Sequence, residues 1–323
     1  AGERSMRAAG TVQAAVQRYL HERRQLGFEL HSPGYDLMRF ARFADARGHR
    51  GPLTQELQIE WARQHVRRTS SRTAAWRLRI LRPFVSFYRQ FEVDTEVPPP
   101  GLLGRRPPRP TPHIYTEKEI HDLMDLAGGL PPPGGLRPLM YRTLFGLLAA
   151  AGLRISEALK LRVVDVDLQR ATITVRATKF HKSRCLPLHV TVVQALAAYR
   201  EVRDRHADPG DDVPFFVSHT GGILSKHTVD GVFGRLRSRL GWRARGDYAQ
   251  PRLHDLRHTM VVRRLQLWHE SGASVDHAMF WLCTYLGHAR ISSTYWYLTG
   301  VPELMNIVGM KFEHFALEGV DDE

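Results

Sequence analysis

Residues 151–161 read AGLRISEALKL and connect a mostly apolar segment to a polar surface. The preceding stretch, residues 136–151, has the composition of a buried helix. Gly152 follows it, and glycine readily adopts the conformation that ends a helix. We therefore expect Arg154 to lie at a surface, with Glu157 one helical turn further on. The pair is typical either of an ordinary ion pair on a helix surface or of an arginine held in place to bind an anion.

Three later segments contain the side chains that chemistry on a phosphodiester requires. They read ATKFHKSR at 177–184, HDLRH at 254–258 and LGHARISSTYWY at 286–297. Together with Arg154 they supply cations, imidazoles and a phenol. Guanidinium and ammonium groups stabilise the charge that grows on the non-bridging oxygens of a phosphate in transfer. A tyrosine can attack phosphorus if cations or a base assist its phenol, whose ordinary pKa is ~10.

The order and local context of these segments resemble the tyrosine recombinases of the phage-integrase type. Arg154 and Glu157 match the context of the family's first arginine box. His254 and Arg257 form its His-x-x-Arg box, and their i,i+3 spacing puts both on one face at a helix N-terminus. The resemblance implies a catalytic set in which Glu157 supports the first arginine. Its members are Arg154, Lys179, His254, Arg257, His288 and Tyr297.

Two positions in this set have competitors. Lys179 resembles the lysine of the family's hairpin between two strands, but Lys182 lies close by, and Phe180 stands where the family commonly has glycine. Leu286-Gly287-His288, followed by Ile291, Thr294 and Tyr297, resembles the family's last box, and Tyr297 is chosen by its place in it. Tyr295 is the alternative nucleophile, and because the two are two residues apart on a helix, only one can face the phosphate.

The resemblance also implies a reaction and an assembly. Tyr297 attacks a DNA phosphodiester to give a 3′-phosphotyrosyl link, while the two arginines and His288 stabilise the transition state. Lys179 protonates the leaving 5′-oxygen, and His254 assists proton transfer. Because the link conserves the bond energy, no ATP, metal or other cofactor is expected. The implied partners are double-stranded DNA and further copies of the chain, four protomers on two DNA sites.

Other functions stay open at this point. Asp255 and His258 add metal-binding residue types beside the His-x-x-Arg box, but the sequence has no His-Glu-x-x-His or paired Cys-x-x-Cys pattern and no carboxylate cluster near the boxes. We therefore predict no metal site. A type IB topoisomerase would use the same chemistry and reseal the broken strand to itself. A DNA-binding regulator would keep the fold without catalysis.

Composition agrees with a DNA partner. The chain has 323 residues and a formal net charge of +13, so its attraction to DNA should weaken steeply with salt. Its two cysteines, Cys185 and Cys283, give no disulfide framework and suit a reducing compartment such as the bacterial cytoplasm or nucleoid. The best apolar run, residues 144–153, is about half the ~20 residues of a membrane span. We expect no membrane association.

Proline marks a domain boundary. Residues 97–114 are rich in Pro and Arg and predict a semi-rigid linker. Residues 6–96 show four segments with helical spacing, and the resemblance implies a core-binding domain that contacts DNA. Arginines crowd its fourth helix, where the alternative is a solvated helix face. The candidate DNA contacts across the chain are Arg67, Arg68, Arg72, Arg77, Arg105, Arg106, Lys182, Arg184, Arg235 and Arg239.

The catalytic domain is predicted at 115–323. Thr116 and Glu119 form a capping box at its first helix. Residues 171–175 and 184–187 predict the only sheet, two strands around the lysine turn, and residues 225–239 a basic helix. The stretch LWHESGASVDH, residues 267–277, is interpreted as a surface insertion. Residues 301–315 resemble the family's protomer-contact helix. The expected class is mainly α with a small β-sheet (α+β).

Overall fold

The computed structural model describes residues 10–64, 71–104, 109–176 and 183–301, with residues 304, 305, 309 and 313. These residues are mainly helical with one small antiparallel sheet, which confirms the predicted fold class. The chain divides into two compact units, residues 1–108 and 109–323. The division falls within the stretch 97–114 that the sequence predicts to be a linker. None of the described helices combines the length and apolar character needed to cross a membrane.

The first unit contains the four helices that apolar spacing predicts. They are α1 (Val12–Gln25), α2 (His31–Ala46), α3 (Gln55–Arg63) and α4 (Ser71–Tyr88). Thr11 and Thr54 cap the N-termini of α1 and α3 by accepting hydrogen bonds from backbone N–H groups. The helices bury one core, in which Phe40 packs edge-on against both Trp61 and Phe84. Burial of these aromatic rings supplies much of the stability of a unit this small.

The second unit is a larger helical assembly around two hydrophobic cores. Its helices are α5 (Glu117–Gly128), α6 (Leu136–Ala151), α7 (Ile155–Ala158), α8 (Val190–Arg203), α9 (Lys226–Arg239), α10 (Asp255–Glu270), α11 (Val275–Leu286) and α12 (Ser292–Gly300). The predicted capping box of Thr116 and Glu119 is present at α5, and α6 has the predicted bounds. Gly152 ends α6 with φ of 60°.

The sheet has three strands in the order β1-β2-β3, all antiparallel. They are β1 (Val166–Asp167), β2 (Thr172–Val175) and β3 (Arg184–Pro187). The second and third match the predicted strands, whereas β1 is too short for its two residues to show an alternating pattern. β2 and β3 pair with Thr174 opposite Cys185. The predicted lysine turn between them, at 177–182, lies outside the described residues.

The stretch 267–277 is not a separate loop, and its interpretation as an insertion stays a prediction. Its residues form the end of α10, a turn at 271–274 and the start of α11. Gly272 makes the turn possible with φ of 72°, and the N–H of Ala273 donates to the carbonyl of Trp268. Trp268 packs against the core formed by α10, α11 and α12. The turn between the two helices is largely exposed.

Candidate active site

Arg154 lies where α6 gives way to α7, as the N-cap residue of α7. Its Nη1 donates to Oε1 of Glu157 at 2.7 Å, and its backbone N–H donates to Oε2 at 3.0 Å. The side chain of Arg154 is 36% exposed, whereas that of Glu157 is 8% exposed. The pair is therefore not an ordinary surface ion pair. The Glu157 carboxylate is buried beneath Arg154, and part of the Arg154 guanidinium stays open to an anion.

Glu157 is also bound by Arg184, which the sequence pattern had assigned to DNA contact. Arg184 Nη2 donates to Glu157 Oε2 at 2.9 Å, and its Nε donates to the carbonyl of Tyr285 at 2.8 Å. Because the Arg184 side chain is only 10% exposed, that DNA-contact assignment is corrected to a structural one. Burial alone would raise the pKa of Glu157, but the hydrogen bonds and charge of Arg184, aided by Arg154, lower it to about 2.

Arg257 projects from the first turn of α10 and is 3% exposed. It donates to the carbonyls of Gly152 at 2.6 Å and Leu286 at 2.8 Å, and its Nη1 lies 3.9 Å from Glu157 Oε2. Burial, followed by the charge of Arg154, lowers the pKa of Arg257 to about 10, so it stays charged at neutral pH. The guanidinium thus ties together the ends of α6, α10 and α11.

His288 follows Gly287, the left-handed C-cap of α11. Arg257 Nη2 lies 3.2 Å from His288 Nε2, and His288 Nδ1 lies 2.8 Å from Thr294 Oγ1. An arginine only donates, so Nε2 must accept and Nδ1 must carry the proton that goes to Thr294. Burial, then the charge of Arg257, lowers the pKa of His288 to about 3. The ring is a neutral group of fixed orientation.

Tyr297 lies on α12 with 1% of its surface exposed. Its hydroxyl oxygen is 2.8 Å from Nδ1 of His258 on α10. Burial raises the pKa of the Tyr297 phenol, and the charges of Arg257 and Arg109 offset part of that rise. The alternative nucleophile, Tyr295, is 37% exposed. The two tyrosines thus point in different directions, as their spacing predicts.

His254 is the N-cap residue of α10, one turn before His258. The two rings are 4.9 Å apart and nearly perpendicular. Burial of part of the ring, then the charge of Arg257, lowers the pKa of His254 to about 4. The ring keeps a solvent-exposed edge and therefore stands at the mouth of the site.

Arg109 and the residues after it pack on the second unit beside the nucleophile. The Arg109 guanidinium lies 4.3 Å from the ring centroid of Trp296, the residue before Tyr297. The backbone N–H of Thr111 donates to the Asp247 carboxylate at 2.7 Å, and the N–H of Asp247 donates to the Thr111 carbonyl at 3.0 Å. This end of the predicted linker is thus anchored, and it adds a cation to the site.

The candidate DNA contacts outside the boxes divide into four groups. Arg235 and Arg239 are exposed on α9, where a phosphate can reach them. Arg77 is 7% exposed on α4 and donates to the carbonyls of Ala62 at 3.3 Å and Gln64 at 2.8 Å, so its assignment to DNA contact is corrected to a structural role. Of Arg72 only the backbone, within α4, is described. Outside the described residues lie Arg67, Arg68, Arg105, Arg106, Lys179 and Lys182.

The residue that sequence reasoning missed is His258. The sequence suggests His258 only as a residue type that binds metals, yet it contacts the predicted nucleophile across 39 positions of sequence. Its i,i+4 spacing from His254, which places the two on one helix face, was the available signal. Across the described parts of the chain, no three His, Cys, Asp or Glu side chains are grouped as a metal site would require.

Comparisons with known proteins identify the family. The phage integrase family matches residues 114–301. The integrase/recombinase y4rB of Sinorhizobium fredii is 38% identical over 94% of this chain and 97% of its own length. The tyrosine recombinase XerC of Chlamydia muridarum is 29% identical over 70% of this chain and 66% of its own. The fold is similar to that of the Tn1549 transposon integrase in complex with transposon right end DNA, with a TM-score of 0.65. The match covers 89% of this chain and 94% of the integrase chain, at 20% sequence identity. The chain belongs to the phage integrase family of tyrosine recombinases, enzymes that cut and rejoin DNA strands.

Proposed function

We propose that this protein recombines mobile DNA at specific sites, by integration, excision or transposition, through a covalent 3′-phosphotyrosine on Tyr297. One observation carries the proposal: five predicted catalytic residues from three separate segments of the sequence lie in one connected group, whose two halves are joined where the N–H of Arg257 donates to the carbonyl of His254. Arg154 and Arg257 share Glu157, Arg257 contacts His288, and His258 links His254 to Tyr297. The names of the relatives, an integrase/recombinase and a transposon integrase, support mobile DNA as the substrate.

The geometry suggests a role for each group. The scissile phosphate binds the open part of Arg154 and the electropositive mouth of the site near His254. Arg257 has a fixed orientation and neutralises charge on the non-bridging oxygens as it grows, which costs no reorganisation at the moment of reaction. His288, as a neutral ring, holds the Arg257 guanidinium in that orientation. Lys179 protonates the 5′-oxygen that leaves. The reaction needs no metal ion, because cations of the protein occupy the positions of charge stabilisation.

DNA is bound through the positive charge of the chain, and four protomers act together on two sites. On the second unit, the exposed Arg235 and Arg239 contact phosphates from α9. On the first unit, Arg79 lies 4.3 Å above the ring of Trp76, and both are exposed on α4. An arginine supported by an aromatic ring is suited to backbone or base-edge contact. Sedimentation of the protein with a two-site DNA measures the number of protomers.

The first experiment traps the covalent intermediate. Duplexes that the protein selects from a randomised pool are nicked at successive positions, so that cleavage releases a short strand and rejoining fails. Wild type in EDTA should form a protein–DNA adduct that survives denaturation, and Tyr297→Phe should form none. Tyr295→Phe is the matched control and should react like wild type. An adduct that persists in Tyr297→Phe and vanishes in Tyr295→Phe would move the nucleophile to Tyr295.

A second experiment separates recombination from its alternatives. Two selected sites on different DNA molecules should exchange strands. Relaxation of a supercoil without exchange would indicate a topoisomerase, and tight binding without any adduct on any nicked duplex would indicate a regulator. Either result would overturn the proposed function.

A further inference from the structure

His258 occupies a position between the nucleophile and the first histidine of the site. Its ring is 4% exposed and lies within a hydrogen bond of the Tyr297 hydroxyl, with Nδ1 and Oη 2.8 Å apart. Its other neighbours are the rings of His254 at 4.9 Å and Trp296 at 6.1 Å. His254, in contrast, is at the mouth of the site. The imidazole that contacts the reacting oxygen is therefore that of His258.

We propose that His258 is the catalytic residue that accepts the proton of Tyr297 during strand cleavage. The inference rests on the proposed function. As the phenolic oxygen forms its bond to phosphorus, the O–H bond breaks and the proton moves to Nδ1 of His258. The bond between phosphorus and the 5′-oxygen breaks at the same time, and that oxygen takes a proton from Lys179. In rejoining, the 5′-hydroxyl oxygen bonds to phosphorus and its proton returns to Lys179. The bond between phosphorus and the phenolic oxygen breaks, and that oxygen recovers its proton from His258.

The surroundings of His258 explain why its ring stays neutral until the substrate binds. Burial, then the neighbouring His254 and Arg109, lower the pKa of His258 to about 2, so the ring is neutral and Nδ1 can accept the phenol's hydrogen bond. The other charged groups that act on the ring are Arg252 and Arg257. His254, with a pKa of about 4, is neutral at pH 7, whereas the three arginines named here are cations. A bound phosphate brings negative charge next to them and opposes their field, so His258 becomes a better base when the substrate is present.

A purely positional role for His258 makes a different prediction, and asparagine separates the two. In His258→Asn, a side-chain oxygen takes roughly the place of Nδ1 and can still accept the phenol's hydrogen bond, but it cannot accept a proton at neutral pH. His258→Phe removes both functions. His121→Asn, on the exposed side of α5, is the matched control for loss of a histidine.

The measurement is the single-turnover rate of adduct formation on a selected, nicked duplex. Proton transfer by a positioned side chain contributes about 10²–10⁴-fold, so His258→Asn and His258→Phe should both be slower by about 10²-fold or more. His121→Asn should match wild type. DNA affinity should be unchanged in all three, because His258 is buried. Equal thermal unfolding of His258→Asn and wild type confirms that the loss is not one of folding.

A modified substrate tests whether His258 handles the proton of the attacking tyrosine and not that of the leaving 5′-oxygen. With a 5′-bridging sulfur, the leaving group needs no protonation, so the sulfur substrate should rescue Lys179→Ala and leave His258→Asn slow. A near-normal rate in His258→Asn would reduce His258 to a positioning residue, and a faster rate in His258→Phe would make the hydrogen bond a restraint on the nucleophile. Both outcomes would overturn the proposal. Absence of any adduct with wild type would instead refute the proposed function.

Discussion

Glu157 offers a direct test of how the site is held together, through the substitution Glu157→Gln. The carboxylate is 8% exposed and accepts hydrogen bonds from Arg154 and Arg184, with Arg257 3.9 Å away. Glutamine keeps the shape of the side chain and removes its charge. Two of the three arginines are almost fully buried, and a buried cation that loses its partner is costly. We expect the second unit to lose stability while the first unit is unaffected.

The magnitude follows from the pKa of Glu157. Its ordinary value is 4.5 and its value in the folded protein is about 2, and this difference corresponds to roughly 3 kcal/mol of folding free energy. Because the folded-state pKa is the lower one, the contribution is fully present above pH 4.5 and is lost as the pH falls towards 2. Glu157→Gln should therefore be less stable than wild type by about 3 kcal/mol at pH 7, and by less than half of that near pH 3.

Urea unfolding of the two proteins between pH 7 and pH 3 measures this difference. Amide hydrogen exchange in α7 and α10 reports on the second unit separately. Glu201→Gln is the matched control, because Glu201 is 79% exposed and its ion pair with Arg205 should contribute less than about 1 kcal/mol. A loss below about 1 kcal/mol at pH 7, or one that stays constant down to pH 3, would refute the reasoning.

Three other variants test the corrected role of Arg77, the turn at the end of α11 and the DNA contact proposed for α9. Arg77→Ala should destabilise the first unit by about 2 kcal/mol in urea unfolding, because two carbonyls lose a charged donor, whereas Arg79→Ala should not. Gly287→Ala should cost about 2 kcal/mol in the same assay, since φ is 63° and the new Cβ would lie 2.8 Å from a buried guanidinium nitrogen. Replacing Arg235 and Arg239 together by Ala should reduce the slope of log affinity against log salt by about 2 without loss of stability; an unchanged slope would remove α9 from the DNA interface.

The sequence predicts this fold wherever local rules decide the structure. The capping box at α5 needs only Thr116 and, one helical turn later, Glu119, and α6 needs only a long apolar segment closed by Gly152. β2 and β3 follow from short alternating segments around a turn. In each case the residues that determine the element lie within it or beside it.

The sequence fails where a side chain's role depends on contacts far along the chain. Arg184 belongs by composition to a basic turn, yet its position is determined by Glu157, 27 residues away, and by Tyr285, 101 residues away. Arg77 is one arginine among several on α4, and only the tertiary structure turns it towards the end of α3. Spacing along one helix does not say which of its cations will be buried. The contact between His258 and Tyr297 could not be predicted for the same reason, because the two residues are 39 positions apart.

The two arginines of the site differ in how far their catalytic role can be separated from folding. Arg257 joins the carbonyls of Gly152 and Leu286, so removing its guanidinium leaves two buried acceptors unpaired and loosens three helix ends together. Loss of cleavage in an Arg257 variant therefore cannot be read as loss of transition-state stabilisation alone. Arg154 is partly exposed, and Glu157 keeps Arg184 as a partner without it. Arg154→Ala should thus fold with near-normal stability and lose cleavage, which makes it the better measure of what a guanidinium contributes to the chemistry.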